Sequence, residues 1–175
     1  LATSGESTYL LSNLYRGLIK YTDQGELLYD VAEKCRFKTT GLVVCKLRKE
    51  ARWSDGSLVT ADDFVRSFRR LIEPNSPAYV APLLFSIKNA RAIFEGKKPV
   101  EDFGITALGD HELKFEMETA DTEFLEKLSN SLLVPFRPLK TGESKESLIT
   151  NGPYKIKKIV ERKKIILEAN PHFKK

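Results

Sequence analysis

The stretch KLRKEARWSDGSLVTADDFVRSFRRLIEP, residues 46–74, decides the fold. It opens on the end of an apolar run, Leu42 to Leu47, that reads as a strand. Trp53-Ser54-Asp55-Gly56 is a tight polar turn around a buried aromatic. Thr60-Ala61-Asp62-Asp63 then has the form of a capping box, with acid in the first turn, where the helix dipole favours it. Phe64, Val65, Phe68, Leu71 and Ile72 fall on one face of a helix over 61–72. Pro74 stops it, because proline lacks the N–H and clashes with the preceding turn.

Working outward, Ser7 to Leu18 reads as a helix, with Leu10, Leu11, Leu14, Tyr15 and Leu18 on one side and Ser4 or Ser7 as its cap. Cys35 to Lys38 pairs with Leu42 to Leu47 around Thr39-Thr40-Gly41. Beyond Pro74, Pro82 to Glu95 is a second helical stretch. Ile105–Leu108 and Glu112–Glu118 form a hairpin around Gly109-Asp110. In its return strand Leu113, Phe115 and Met117 alternate with charges, giving one buried face and one wet face. Asp121 to Leu132 is a further helix. A polar loop, Pro135 to Thr150, leads to a last hairpin, Tyr154–Val160 with Lys164–Glu168. Antiparallel pieces interleaved with helices give an α+β fold of mixed or antiparallel sheets with packed helices.

A chain of 175 residues can bury a core without metal or disulfide support. Its 41% hydrophobic and 30% charged content is that of an ordinary soluble protein. No apolar run approaches the roughly 20 residues of a membrane helix. The net charge of +5 comes from 29 basic and 24 acidic residues with the signs interspersed. A solvated surface is therefore expected rather than a nucleic-acid-binding face. Leu1 opens directly into polar residues with no signal peptide, which points to a processed or trimmed chain.

No G-x-S-x-G, Walker loop, G-x-G-x-x-G or H-E-x-x-H occurs. Asp62-Asp63 sits where helix capping explains it, and Asp110-His111 sits in a hairpin turn. His111 and His172 lie near no cysteine in sequence, and Cys35 and Cys45 lack zinc-ligand spacing. No catalytic residue, metal or cofactor is expected.

A series of short motifs stands in fixed order: Leu14-Tyr-Arg-Gly-Leu18, Val31-Ala-Glu-Lys34, Lys46 to Gly56, and Val59 to Val65. Gly96-Lys-Lys-Pro99, Gly104-Ile-Thr-Ala-Leu108, Asn151-Gly-Pro-Tyr-Lys155 and Asn170-Pro171 follow. The order and spacing resemble the solute-binding proteins of ABC-type peptide importers, in their oligopeptide-binding branch, over essentially the whole chain. That resemblance implies a partial periplasmic-binding-protein lobe plus its small inserted domain. The divisions are 1–14 for the start of the first ligand-binding lobe, 15–135 for the small domain and 136–175 for the return to the first lobe. The family continues well past Asn170-Pro171, so the chain is expected to be an N-terminal piece.

The function implied is capture of an oligopeptide outside the cytoplasmic membrane and delivery to a membrane permease, with no chemical step. The full-length protein would be periplasmic or extracytoplasmic, free or lipid-anchored, and a monomer. The segment before the first helix, Thr3, Ser4 and Gly5, is implied to lie along the peptide backbone. A cleft-facing tyrosine of the small domain maps near Ser76-Pro-Ala-Tyr79, displaced by one position, which nominates Tyr79. Capping explains Ser4-Gly5 equally well, and an exposed loop accounts for Tyr79. Readings from other classes are an interaction module without transport, an enzyme with a convergent site, and a nucleic-acid binder with clustered arginines and stacking aromatics.

A three-residue loop Thr39-Thr40-Gly41 would set Lys38 against Leu42 and Cys35 against Cys45. That rung is non-hydrogen-bonded, with Cα atoms about 4.5 Å apart, within reach of a disulfide. The resembling family usually carries aromatics at these two positions. Two reduced, buried cysteines packing as small hydrophobes remain the other reading, and a change of one residue in the loop would misalign the pair.

Overall fold

A computed structural model describes residues 5–174 apart from Asp23 and Asn75, with side chains from residue 8 onward. Helix α1 (Gly5–Leu14) leads into a two-stranded hairpin, β1 (Ile19–Tyr21) and β2 (Leu27–Tyr29). β3 (Ala32–Thr39) and β4 (Leu42–Leu47) follow, then helix α2 (Ala61–Ile72). After the 3-10 turn Ala81–Leu84 come helix α3 (Ala90–Phe94), β5 (Ile105–Ala107), β6 (Glu112–Glu116) and helix α4 (Phe124–Lys127). β7 (Tyr154–Val160) and β8 (Lys164–Ala169) close the chain as a hairpin.

The two central hairpins join edge to edge in one antiparallel sheet of order β3-β4-β6-β5. Val43, Cys45, Leu47, Leu113 and Phe115 point to its fully buried face. α2 lies across β5 and β6 on that face. Phe64 and Phe68 are fully buried, with Phe68 6.3 Å from Phe115 and Phe115 5.1 Å from Phe124 between ring centroids. Leu71, expected on the same face, is half-buried and packs at the margin of this core.

Four expectations need correction, each for a physical reason. The first helix ends at Leu14 and not at Leu18. The Asn151 amide brackets the Arg16 backbone, accepting its N–H at 3.0 Å and donating to its C=O at 2.9 Å, so Arg16 cannot continue the helical ladder. The 82–95 stretch breaks near Asn89, which has φ +64°. The Lys88 N–H there goes to Glu116 O at 2.8 Å and that of Asn89 to the Glu118 carboxylate at 2.8 Å.

The 121–132 stretch keeps only α4. Short i to i−3 bonds follow it, and the Asn130 side chain takes the Leu132 N–H at 3.0 Å. The β3–β4 loop is Thr40-Gly41, closed by Thr39 opposite Leu42, with a bulge between Phe37 and Thr39. That bulge makes up the missing loop residue, so Cys35 still faces Cys45, and the two sulfurs are bonded with Cα atoms 4.0 Å apart.

Candidate ligand-binding site

Thr3 and Ser4 lie outside the described residues. Gly5 is the first residue of α1, which packs against β7. Tyr79 sits between the buried Ala78 and Val80 in the loop after α2 and is 60% exposed. The fold thus carries Gly5 and Tyr79 on different elements, whereas it brings Cys35 and Cys45 together.

The sequence motifs form the joints that hold these elements in place. Trp53 is fully buried and its indole Nε1–H donates to the Asp63 carboxylate at 2.9 Å. The same carboxylate accepts the Thr60 N–H at 3.0 Å, Arg66 at 2.6 Å and Arg137 at 3.4 Å. Burial by itself would raise the Asp63 carboxyl, but the Thr60, Trp53 and Arg137 donors outweigh it and hold it below the ordinary carboxylate range. The Arg137 guanidinium also lies 4.5 Å from the Trp53 ring centroid.

The turn after Trp53 is tied to the C-terminal segment. Ser54 N–H donates to Thr150 O at 2.7 Å, and Thr150 N–H returns a bond to the Ser54 hydroxyl at 3.1 Å. Gly56, at φ +86°, has the His172 ring 3.3 Å from where a Cβ would stand. Gly152 packs against the end of α1, where a Cβ would lie 2.6 Å from Asn13 O and from Leu14 C. The Asn170 amide donates to Gly152 O at 2.9 Å. Trp-Ser-Asp-Gly, Asn-Gly-Pro-Tyr and Asn-Pro therefore position one part of the chain against another.

A cleft of about 600 Å³ opens beside the end of α1 and includes Arg16, Lys20, Asp30, Arg48 and Phe173 in its lining. Burial raises the Asp30 carboxyl, with Lys20 and Arg16 opposing. Burial also pushes the Tyr15 hydroxyl up to about 12. Sequence reading did not find this cleft, because its residues are scattered from Asn13 to Lys174 and share no motif. Among the described residues no group of three or more His, Cys, Asp or Glu could hold a metal ion.

Comparison with known families supplies the deciding observation. The model of the bacterial extracellular solute-binding proteins, family 5 Middle, matches residues 27–175. The chain belongs to family 5 of the bacterial extracellular solute-binding proteins. Its similarity to individual members of family 5 runs over most of its length. It is 32% identical over 171 residues to the periplasmic murein peptide-binding protein MppA of Escherichia coli, covering 94% of this chain and 32% of MppA. It is 35% identical over 169 residues to the periplasmic oligopeptide-binding protein OppA of Salmonella typhimurium, covering 92% of this chain and 31% of OppA.

Among solved structures, the Escherichia coli murein tripeptide binding protein MppA superposes with a TM-score of 0.90 at 30% identity, over 98% of this chain and 35% of MppA. The Haemophilus influenzae OppA complex with RPPGFSPFR gives a TM-score of 0.87 at 29% identity, over 98% of this chain and 35% of that one. The α+β fold is thus that of family 5. The chain spans about a third of the length of the curated relatives it matches.

Proposed function

We propose that this chain forms part of the substrate-binding component of a peptide ABC importer, which captures oligopeptides outside the cytoplasmic membrane and delivers them to a membrane permease. The observation that carries the reading is the family 5 match across residues 27–175, joined to the backbone likeness to OppA in complex with a peptide. The relatives named are binding proteins, which agrees with a role that performs no chemical step. In this reading residues 1–14 and 136–175 belong to the first ligand-binding lobe and residues 15–135 form the small domain. The packing of α1 on β7 and the Gly152 N–H bond to Leu14 O at 2.8 Å support that grouping.

Thr3, Ser4 and Gly5 lie along the peptide main chain, and Tyr79 contacts it from the small domain. Recognition through main-chain hydrogen bonds explains how one site accepts many sequences. Uptake of a radiolabelled tripeptide or pentapeptide by cells lacking the gene is the test. Uptake should fall sharply and return when the full-length gene is restored. Unchanged uptake of every peptide tried in the deleted strain would remove the transport role.

A further inference from the structure

We infer that the cleft beside the end of α1 is a binding site for a small multivalent oxyanion, of the phosphate or polycarboxylate class. Among the described residues that line it, four cations, Arg16, Lys20, Arg48 and Lys174, face one carboxylate, that of Asp30. Arg48 is held through its inner nitrogen, whereas Arg16 pairs with the same residue by charge, without a hydrogen bond. Arg48 Nε donates to Asp30 O at 2.7 Å, and Arg16 Nε faces the Asp30 carboxylate at 3.7 Å. Phe173 lies 5.8 Å from the Arg16 guanidinium and braces it from one side.

Among the described residues, no acceptor stands within hydrogen-bonding distance of the outer nitrogens of either guanidinium. Two guanidinium forks lining one cleft, with outer N–H groups that meet no acceptor among the described residues, form an arrangement that receives an oxyanion bidentately. Lys20, 3.7 Å from Asp30 and partly exposed, adds a movable charge at the rim. A carboxylate shared among several cations restrains them without neutralising them, and the concave wall concentrates their field on an arriving anion.

The cleft's lining contains neither Gly5 nor Tyr79, the described residues proposed to touch peptide. It lies at the C-terminal end of α1, about 13.5 Å along the helix from Gly5 at 1.5 Å per residue. It therefore does not depend on the peptide reading.

Titration calorimetry of the full-length protein tests it, with sodium phosphate and with sodium citrate, at an ionic strength held constant with sodium chloride. One saturable site is expected. R16Q and R48Q, each checked for an unchanged thermal midpoint, should weaken it by about tenfold or more, the loss of one charge-assisted pair. Because Arg48 also ties down backbone, K20Q provides an arm free of that contact, with a loss of about threefold. Peptide affinity should be unchanged in all three variants. A heat that disappears at constant ionic strength would show screening alone and overturn the site. So would saturable binding that R16Q and K20Q leave intact in folded protein. Loss of peptide affinity in step with the anion would assign the cleft to the peptide site instead.

Discussion

Asp63 gathers bonds from three parts of the chain: its own helix cap, the Trp53 turn and Arg137, 74 residues further on. Its folded pKa lies below the unfolded value, so the folded state binds fewer protons through the acid range. The stability it supplies is complete above the unfolded carboxyl value of about 4 and is lost as pH falls through the folded one. Asp63→Asn should cost about 1.5–3 kcal/mol at neutral pH, the value of hydrogen bonds to a buried charge. Urea unfolding from neutral to acid pH checks both statements: the variant should lose less stability on acidification than the parent. Parallel curves would mean that Asp63 takes no part in the acid response. The cap between Thr60 and Asp63 was legible in the sequence because its partners stand three residues apart. Arg137 was not, since nothing in its neighbours marks a partner so distant.

At the scale of elements, α2 had the expected bounds because its apolar face repeats over three turns and Thr60 and Pro74 punctuate both ends. The same periodicity over 7–18, 82–95 and 121–132 overran the structure. In the first two cases the donors that would extend the helix are spent on Asn151, Glu116 or Glu118, and in the third the Asn130 side chain takes the Leu132 N–H. Pairing of β4 with β6 was likewise unreadable, because the strands are separated by α2 and α3 and no local signal joins them. Phe68 shows what the packed result is worth. It is fully buried between Phe64 and Phe115, so Phe68→Ala should cost about 3–5 kcal/mol in urea unfolding. A loss below about 1 kcal/mol would place it outside the core.

The Cys35–Cys45 bond joins β3 to β4 on the buried face, and Cys45 also opposes Leu113 across β6. Alkylation and mass spectrometry of denatured, non-reduced protein should find no free thiol. Two labelled thiols in air-exposed material would show the reduced pair. Here the alignment was readable by counting along two strands, but the bulge that sustains it was not.

For the whole molecule, the motifs that make the family recognisable do structural work, while the residues proposed to touch peptide stand at the chain's start and in one exposed loop. The chain matches about a third of its relatives' length, and in the proposed reading it supplies one wall of the peptide cleft. In that reading closure around a ligand needs the rest. The direct measurement is calorimetry with tri- to pentapeptides on the full-length protein and on residues 1–175 alone. The full-length protein should bind with micromolar or tighter affinity, about −8 kcal/mol, and the 175-residue chain no tighter than millimolar, about −4 kcal/mol. Micromolar binding by residues 1–175 alone would contradict the one-wall account, and a full-length protein that binds no peptide would contradict capture itself.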